Sequence, residues 1–190
     1  MRAGLTEFVL ALGYLADQVE RAIAGFQLDA RIRTVVEQRP MGTGGAVAVA
    51  MDTFGLPEVL VANGDTHLEG DIEGMLRPLE VARGELVRMA IVEARDRRRF
   101  GGIALDAGGC VTQFLEKRQA GPGRINAGLY RVHRTALPAR IDGPFSLEMS
   151  VLPALAAAGH VWAKPIDGSL IDIGMPEDYE RFCRLHAASA

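Results

Sequence analysis

An α/β fold with a mixed sheet is predicted by three observations. Apolar runs of strand length alternate with stretches of helical period through the first ninety residues. A glycine-turned hairpin then changes the texture of the second half. No internal repeat, low-complexity tract or linker interrupts the chain. Strand and helix in strict succession imply parallel βαβ units with a covered sheet, and the hairpin adds antiparallel strands to it. A single domain over residues 1–190 is the expectation, since 190 residues is close to one domain length.

Thr6 to Leu12 (TEFVLAL) is an apolar run suited to a buried strand, ended by Gly13. Leu15, Val19, Ile23 and Phe26 recur at helical spacing and mark one helix face. Arg31 to Val36 reads as a strand, Gly45 to Phe54 as a helix and Glu58 to Ala62 as a strand. Ile72 to Ala82, with Ile72, Met75, Leu76 and Leu79, reads as a helix, and Leu86 to Val92 as a strand. Gly101 to Leu105 and Val111 to Glu116 flank a turn at Asp106 to Gly109 and read as the hairpin. Arg124 to Val132 is a further strand, Leu147 to Ala158 a helix and Val161 to Lys164 a short strand. Pro176 to His186 is a closing helix with proline at its first position.

Composition removes several classes of function. The 21 Lys and Arg nearly balance the 24 Asp and Glu, a net charge of −3, so the basic surplus that displaces counterions from nucleic-acid phosphates is missing. No apolar run reaches the length of a membrane span, and Glu7 and Asp17 flank the Phe8 to Ala16 run that imitates a leader. Cys110 and Cys183 are far apart and form no C-x-x-C pair, which suits a reducing, cytoplasmic setting. His67, His133, His160 and His186 show no metal-ligand spacing and receive no role. Ser146 lacks the G-x-S-x-G setting of an α/β-hydrolase nucleophile.

Three constellations carry chemistry. Glu37 to Ala46 (EQRPMGTGGA) joins a strand to a helix, so its glycines permit close backbone approach and the helix start offers N–H groups to an anion or a base edge. A Gly-rich connection without a ligand is the competing reading. Asn63-Gly64-Asp65 follows a strand directly, where α/β folds place ligands, and an acid there suits Mg²⁺ beside phosphates. A plain turn accounts for the same three residues. Asp172, between Ile171 and Ile173, is a second acid that would share the ion if it faced the same pocket. Glu116-Lys117 ends a strand and Asn126-Ala127-Gly128 lies in the next. A lysine suits a phosphate monoester, while glutamate and asparagine suit sugar hydroxyls; a surface ion pair is the alternative. Arg95, Arg97, Arg98 and Arg99 form either a solvated loop or one that faces phosphate.

Taken in order, these segments resemble the sugar-1-phosphate nucleotidyltransferase family, in the branch that charges mannose- or heptose-type 1-phosphates, often with GTP. The pieces are GLTEFVLALGYLADQVE from Gly4, EQRPMGTGGA from Glu37, NGD from Asn63, FGGIALDAGGCVTQFLEK from Phe100, INAGLY from Ile125, FSLE from Phe145 and DIGMPEDY from Asp172. The resemblance implies a Rossmann-like nucleotide-diphospho-sugar transferase fold, with a mixed, mostly parallel sheet flanked by helices. It implies in-line attack of a sugar 1-phosphate oxygen on the nucleotide α-phosphorus with release of pyrophosphate. By that analogy Asp65 and Asp172 hold Mg²⁺ and Lys117 grips the sugar phosphate, these three forming the catalytic set. Glu116, Asn126, Gly128 and Glu148 hold the sugar, and Glu37, Gln38, Gly42, Thr43, Gly44 and Gly64 line the nucleotide.

The G-G-x-G-T-R loop that opens such enzymes does not occur here, and Gly4 matches the family only from its second strand, so the resemblance implies an N-terminally shortened domain, read first as a fragment or a late start of a longer transferase and otherwise as an enzyme with weak or partner-completed activity. The expected partners are therefore an NTP and a sugar 1-phosphate, with a homo-oligomer or an intact subunit completing the site. A non-catalytic descendant that binds nucleotide or sugar phosphate is the alternative. An NAD-binding oxidoreductase, using Gly42 to Gly44 with Asp65, leaves Glu116-Lys117 unexplained. A glycosyltransferase would need an acceptor-binding region for which the length leaves little room.

Overall fold

A computed structural model describes residues 4–27, 29–118 and 120–187. The chain divides into two compact units, one of Met1–Val59 with His133–Ala154 and one of Leu60–Val132 with Leu155–Ala190.

In the first unit, β1 (Glu7–Leu12) and β2 (Arg31–Val36) pair in parallel, linked by α1 (Ala16–Ala24) in the expected βαβ order. The helix α2 (Gly42–Phe54) follows β2 and lies against both strands. Its buried residues Gly44, Gly45, Ala48 and Met51 recur at three and four and define the packed face. It starts three residues before the Gly45 read from the sequence, so the glycines belong to its first turn. The segment 147–157 is helical as expected, but opens as a π turn (Leu147–Val151) before α4 (Leu152–Ala157). Pro153 has no N–H to donate within it. Ser146 caps this helix by accepting the Met149 N–H at 3.0 Å.

The second unit holds most of a four-stranded sheet in the order β3 (Glu58–Ala62), β8 (Gly123–His133), β5 (Val87–Ala94), β9 (Val161–Pro165). Strand β5 is buried on both faces, with Val87, Met89, Ala90, Ile91 and Val92 almost fully enclosed, because it runs between β8 and β9. One core face gathers Met75, Ala90, Val92, Ile125, Ala127, Leu129 and Ile166. The expected hairpin is β6 (Gly102–Leu105) with β7 (Val111–Leu115).

Three expectations are corrected. The helix read over Ile72 to Ala82 is only α3 (Glu73–Leu76) and a separate 3₁₀ turn (Val81–Arg83). Pro78 forces the residue before it out of the helical region, and Arg77 is extended at φ −70°, ψ 141°. Two strands absent from the sequence reading, β4 (Thr66–Gly70) and β10 (Gly168–Asp172), pair antiparallel. The sheets are mixed as expected, but parallel pairing is not predominant. Among pairs of defined register, β1–β2 and β5–β9 are parallel, while β5–β8, β4–β10 and β6–β7 are antiparallel. The two unforeseen strands and the hairpin supply much of the difference. The closing helix α5 (Pro176–Ala187) stands where it was expected.

Candidate active site

The glycine-rich connection of the first unit is a packing joint. Gly42 has φ +72°, a conformation that glycine adopts without strain, and a Cβ on it would lie 2.5 Å from the Phe145 carbonyl oxygen. A Cβ on Gly44 would lie 2.5 Å from two ring carbons of Phe145. The N–H groups of Gly44 and Gly45 donate to that carbonyl at 3.0 and 3.3 Å, and the Phe145 N–H donates to Met41 O at 2.9 Å. The helix start therefore spends two of its donors on the chain itself rather than on an anion. Thr43 Oγ1 donates to Glu148 Oε2 at 2.6 Å and accepts the Leu147 N–H at 2.9 Å. The Glu37 carboxylate accepts the Met41 N–H at 3.2 Å and closes the loop, while Gln38 is exposed. Nucleotide-site candidates Glu37, Gln38, Gly42, Thr43 and Gly44 thus share one unit with Glu148, a sugar-site candidate.

The acids of the second unit come together through the unforeseen strands. Asp65 stands immediately before β4 and Asp172 ends β10, where it pairs in register with Thr66. The Ile173 N–H donates to Asp65 O at 2.8 Å, and the Gly174 N–H to Asp172 Oδ1 at 3.2 Å. A Cβ on Gly174 would have Asp172 Oδ1 at 3.2 Å and Asp65 Oδ2 at 3.5 Å, so one oxygen of each carboxylate converges on the same small volume. Two hard carboxylate oxygens at an exposed turn fit Mg²⁺, which keeps several waters and takes few protein ligands. The other Asp172 oxygen accepts Arg99 Nη2 at 3.2 Å, and Arg99 Nη1 reaches Asp178 at 2.6 Å. Those bonds, the one to Asp178 foremost, hold the Arg99 guanidinium charged above its usual range.

Gly128 has φ +69°, and a Cβ on it would come within 3.2 Å of both Asn63 Nδ2 and Thr66 Oγ1. Its carbonyl accepts the Asn63 N–H at 2.9 Å, which ties β8 to the turn that carries Gly64 and Asp65. Asn126 accepts the Gly128 N–H at 2.9 Å and donates to Tyr130 Oη at 2.7 Å, so its amide is oriented from both ends. Glu116 and Lys117 are exposed just past β7. The space beside Gly64 is open. In the arginine run, Arg98 is bound to Asp96, Arg97 lies against Gly123, and Arg99 reaches the acids. Sequence reasoning missed the roles of Phe145, Arg99 and Gly174. Arg99 left a signal as part of the arginine run, and Gly174 as the glycine two residues after an acid.

The family model for nucleotidyl transferases matches residues 1–183. Mannose-1-phosphate guanyltransferase beta-A of Xenopus laevis is 29% identical over 186 residues, which is 94% of this chain and 51% of that protein. Mannose-1-phosphate guanylyltransferase 1 of Arabidopsis thaliana is 29% identical over 194 residues, 98% of this chain and 53% of the relative. The chain spans about half the length of the curated relatives it matches. Among solved structures, HddC from Yersinia pseudotuberculosis superposes with a TM-score of 0.83 at 29% identity, over 96% of this chain and 80% of that one. The same protein complexed with GMP-PN gives 0.79 at 30% identity, over 93% and 76%.

Proposed function

The chain belongs to the nucleotidyl transferase family, and from that premise we propose that it acts on a nucleoside triphosphate, GTP in preference, and a sugar 1-phosphate of mannose or heptose type. The observation that carries this reading is the convergence of Asp65 and Asp172 beside Gly174. Mg²⁺ held by these two carboxylates would supply the charge neutralisation that phosphoryl transfer needs. The preference for GTP rests on the guanylyltransferase relatives and on the GMP-PN complex of HddC.

Each residue has a task in this scheme. Lys117 presents its ammonium to the sugar phosphate, and Glu116 takes a sugar hydroxyl. The Asn126 amide, fixed by Tyr130 and the Gly128 N–H, and Gly128 itself shape the sugar pocket. In the second unit Gly64 is assigned to the nucleotide; in the first, Glu37, Gln38 and the Gly42 to Gly44 turn, beyond its packing on Phe145, are assigned to the base and ribose, and Glu148, whose Oε2 accepts the Thr43 hydroxyl, to the sugar. The sugar 1-phosphate oxygen attacks the α-phosphorus as the bond to pyrophosphate breaks, so the protein's work is positioning and charge compensation. A reaction that consumes a nucleoside triphosphate suits the cytoplasm.

Pyrophosphate release from GTP and mannose 1-phosphate by the purified chain, abolished by EDTA, is the expected result. Asp65→Asn lowers the rate about 100-fold or more while the melting temperature holds. A full-rate Asp65→Asn variant overturns the assignment. GTP-dependent thermal stabilisation without turnover transfers the reading to a nucleotide-binding protein or one completed by a partner subunit.

A further inference from the structure

Away from the acid pair, β4 and α5 bring together three side chains that no step above uses. His67 and Glu69 are two apart on β4 and share a face of the strand, and His186 lies in the last turn of α5. One ligand atom from each lies within 4.8 Å of the other two. Both histidine Nε2 atoms are buried without a hydrogen-bond partner, an arrangement that native folds rarely leave uncompensated. His67 Nε2 is 3.6 Å from Glu69 Oε1, too far for a hydrogen bond. The Glu69 carboxylate is anchored through its other oxygen, which accepts Ser169 Oγ at 3.0 Å from the register-paired position on β10. Phe182 walls the cluster, its ring centroid 4.9 Å from that of His67 and 4.4 Å from that of His186.

We propose that His67, Glu69 and His186 form a binding site for a divalent transition-metal ion of the zinc class, distinct from the Asp65–Asp172 pair. Two imidazole nitrogens and one carboxylate oxygen are a ligand set that Zn²⁺ accepts, with water in the fourth position. Imidazole ligands disfavour Mg²⁺ and Ca²⁺, which take oxygen. The Ser169 hydroxyl has the orienting part that supporting groups play around such ligands. Bonds of about 2.0–2.2 Å at tetrahedral angles place donor atoms about 3.4 Å apart. His67 Nε2 and Glu69 Oε1, 3.6 Å apart, already stand near that spacing, and separations of up to 4.8 Å leave His186 to close inward by about 1 Å. The ion ties the last turn of α5 to β4, the strand that starts next to Asp65.

Co²⁺ titrated into the metal-stripped full chain is the test, because four-coordinate cobalt absorbs visible light far more strongly than six-coordinate cobalt. One equivalent is expected to give the intense bands, Zn²⁺ to displace it and to raise the melting temperature, and millimolar Mg²⁺ to compete with neither. His67→Ala and His186→Ala abolish the bands and weaken Zn²⁺ binding about 100-fold or more. The exposed Glu69→Gln, which does not threaten the fold, weakens it in the same direction. Asp65→Asn leaves the bands in place, which separates this site from the one proposed for the reaction. Bands that survive both histidine substitutions, bands lost in Asp65→Asn, or a wild-type chain that gives none overturn the proposal. The last result leaves His67, Phe182 and His186 as an aromatic packing cluster.

Discussion

As stretches of sequence, the Met41–Gly45 connection in one unit and the Asn63–Thr66 turn in the other are alike. Each follows a strand, each carries glycine, and each has polar side chains where a ligand could sit. Their hydrogen bonds differ. In the connection, Gly44, Gly45 and Thr43 are turned onto the Phe145–Glu148 segment, so the glycines are there because a side chain would strike Phe145. In the turn, main-chain bonds from Asn63 to Gly128 and from Ile173 to Asp65 fix the loops, and the Asp65 carboxylate stands exposed beside that of Asp172. Where the backbone does the holding, side chains are left for chemistry. Where glycine makes room for a neighbouring ring, the motif is first a joint.

The difference is sharpest in substitutions read by activity and by stability together. Asp172→Asn has the largest expected effect, a fall in turnover of about 100-fold or more. Its stability barely changes, because the amide oxygen still accepts the Gly174 N–H and Arg99 keeps Asp178. A fall in melting temperature that matches the loss of activity would break the contrast. Gly44→Ala acts the other way. Its methyl meets the Phe145 ring, and overpacking of this kind costs about 1–3 kcal/mol, a melting shift of roughly 2–4 °C per kcal/mol for a chain of this size. Phe145→Ala introduced beside it should cost less than the two single changes added together, since the clash vanishes with the ring. Strict additivity would mean that the ring is not what excludes the side chain.

Local pattern revealed more of the fold than of the site. Strands β2 and β3 were legible to the residue, because β-branched and apolar runs bounded by turn residues have one reading. Strands β4 (THLEG) and β10 (GSLID) were not, since each is short, carries polar residues and glycine, and exists only by pairing with the other. That pairing is what sets Asp172 opposite Thr66, so the acids could be named from sequence while their meeting could not be derived from it. The same pairing hid His67 from His186, whose proximity depends on α5 returning to β4. The packing of Phe145 against Gly42 and Gly44 left no mark, because a ring that demands glycine about a hundred residues earlier has no local signature.

Ion pairs extend the contrast at smaller amplitude. Asp52, on α2, receives Arg134 in two bonds, Nε to Oδ1 at 2.6 Å and Nη2 to Oδ2 at 2.9 Å, all within the first unit. The guanidinium also donates to Pro138 O at 2.9 Å, and the Arg134 N–H to Pro57 O at 2.8 Å, so the pair pins a turn rather than facing a ligand. The Arg134 bond holds the Asp52 carboxyl below the usual carboxylate range. A carboxylate with a depressed native value binds fewer protons folded than unfolded. Its contribution is therefore complete above the unfolded value near 3.9, and it is lost as pH falls through the native value. Asp52→Asn should then cost about 1 kcal/mol at neutral pH, given the two-pronged geometry and the half-exposed acid, with turnover unchanged. The gap to the wild type should shrink as pH drops below about 4 and close once pH lies below the native value, where the folded aspartate is itself neutralised. Thermal melts of both proteins from pH 7 to pH 3 measure it. A gap that persists undiminished at pH 3 would mean that the side chain's shape, and not its charge, anchors Arg134. A loss of turnover would move Asp52 from the scaffold to the machinery and erase the division between the two regions.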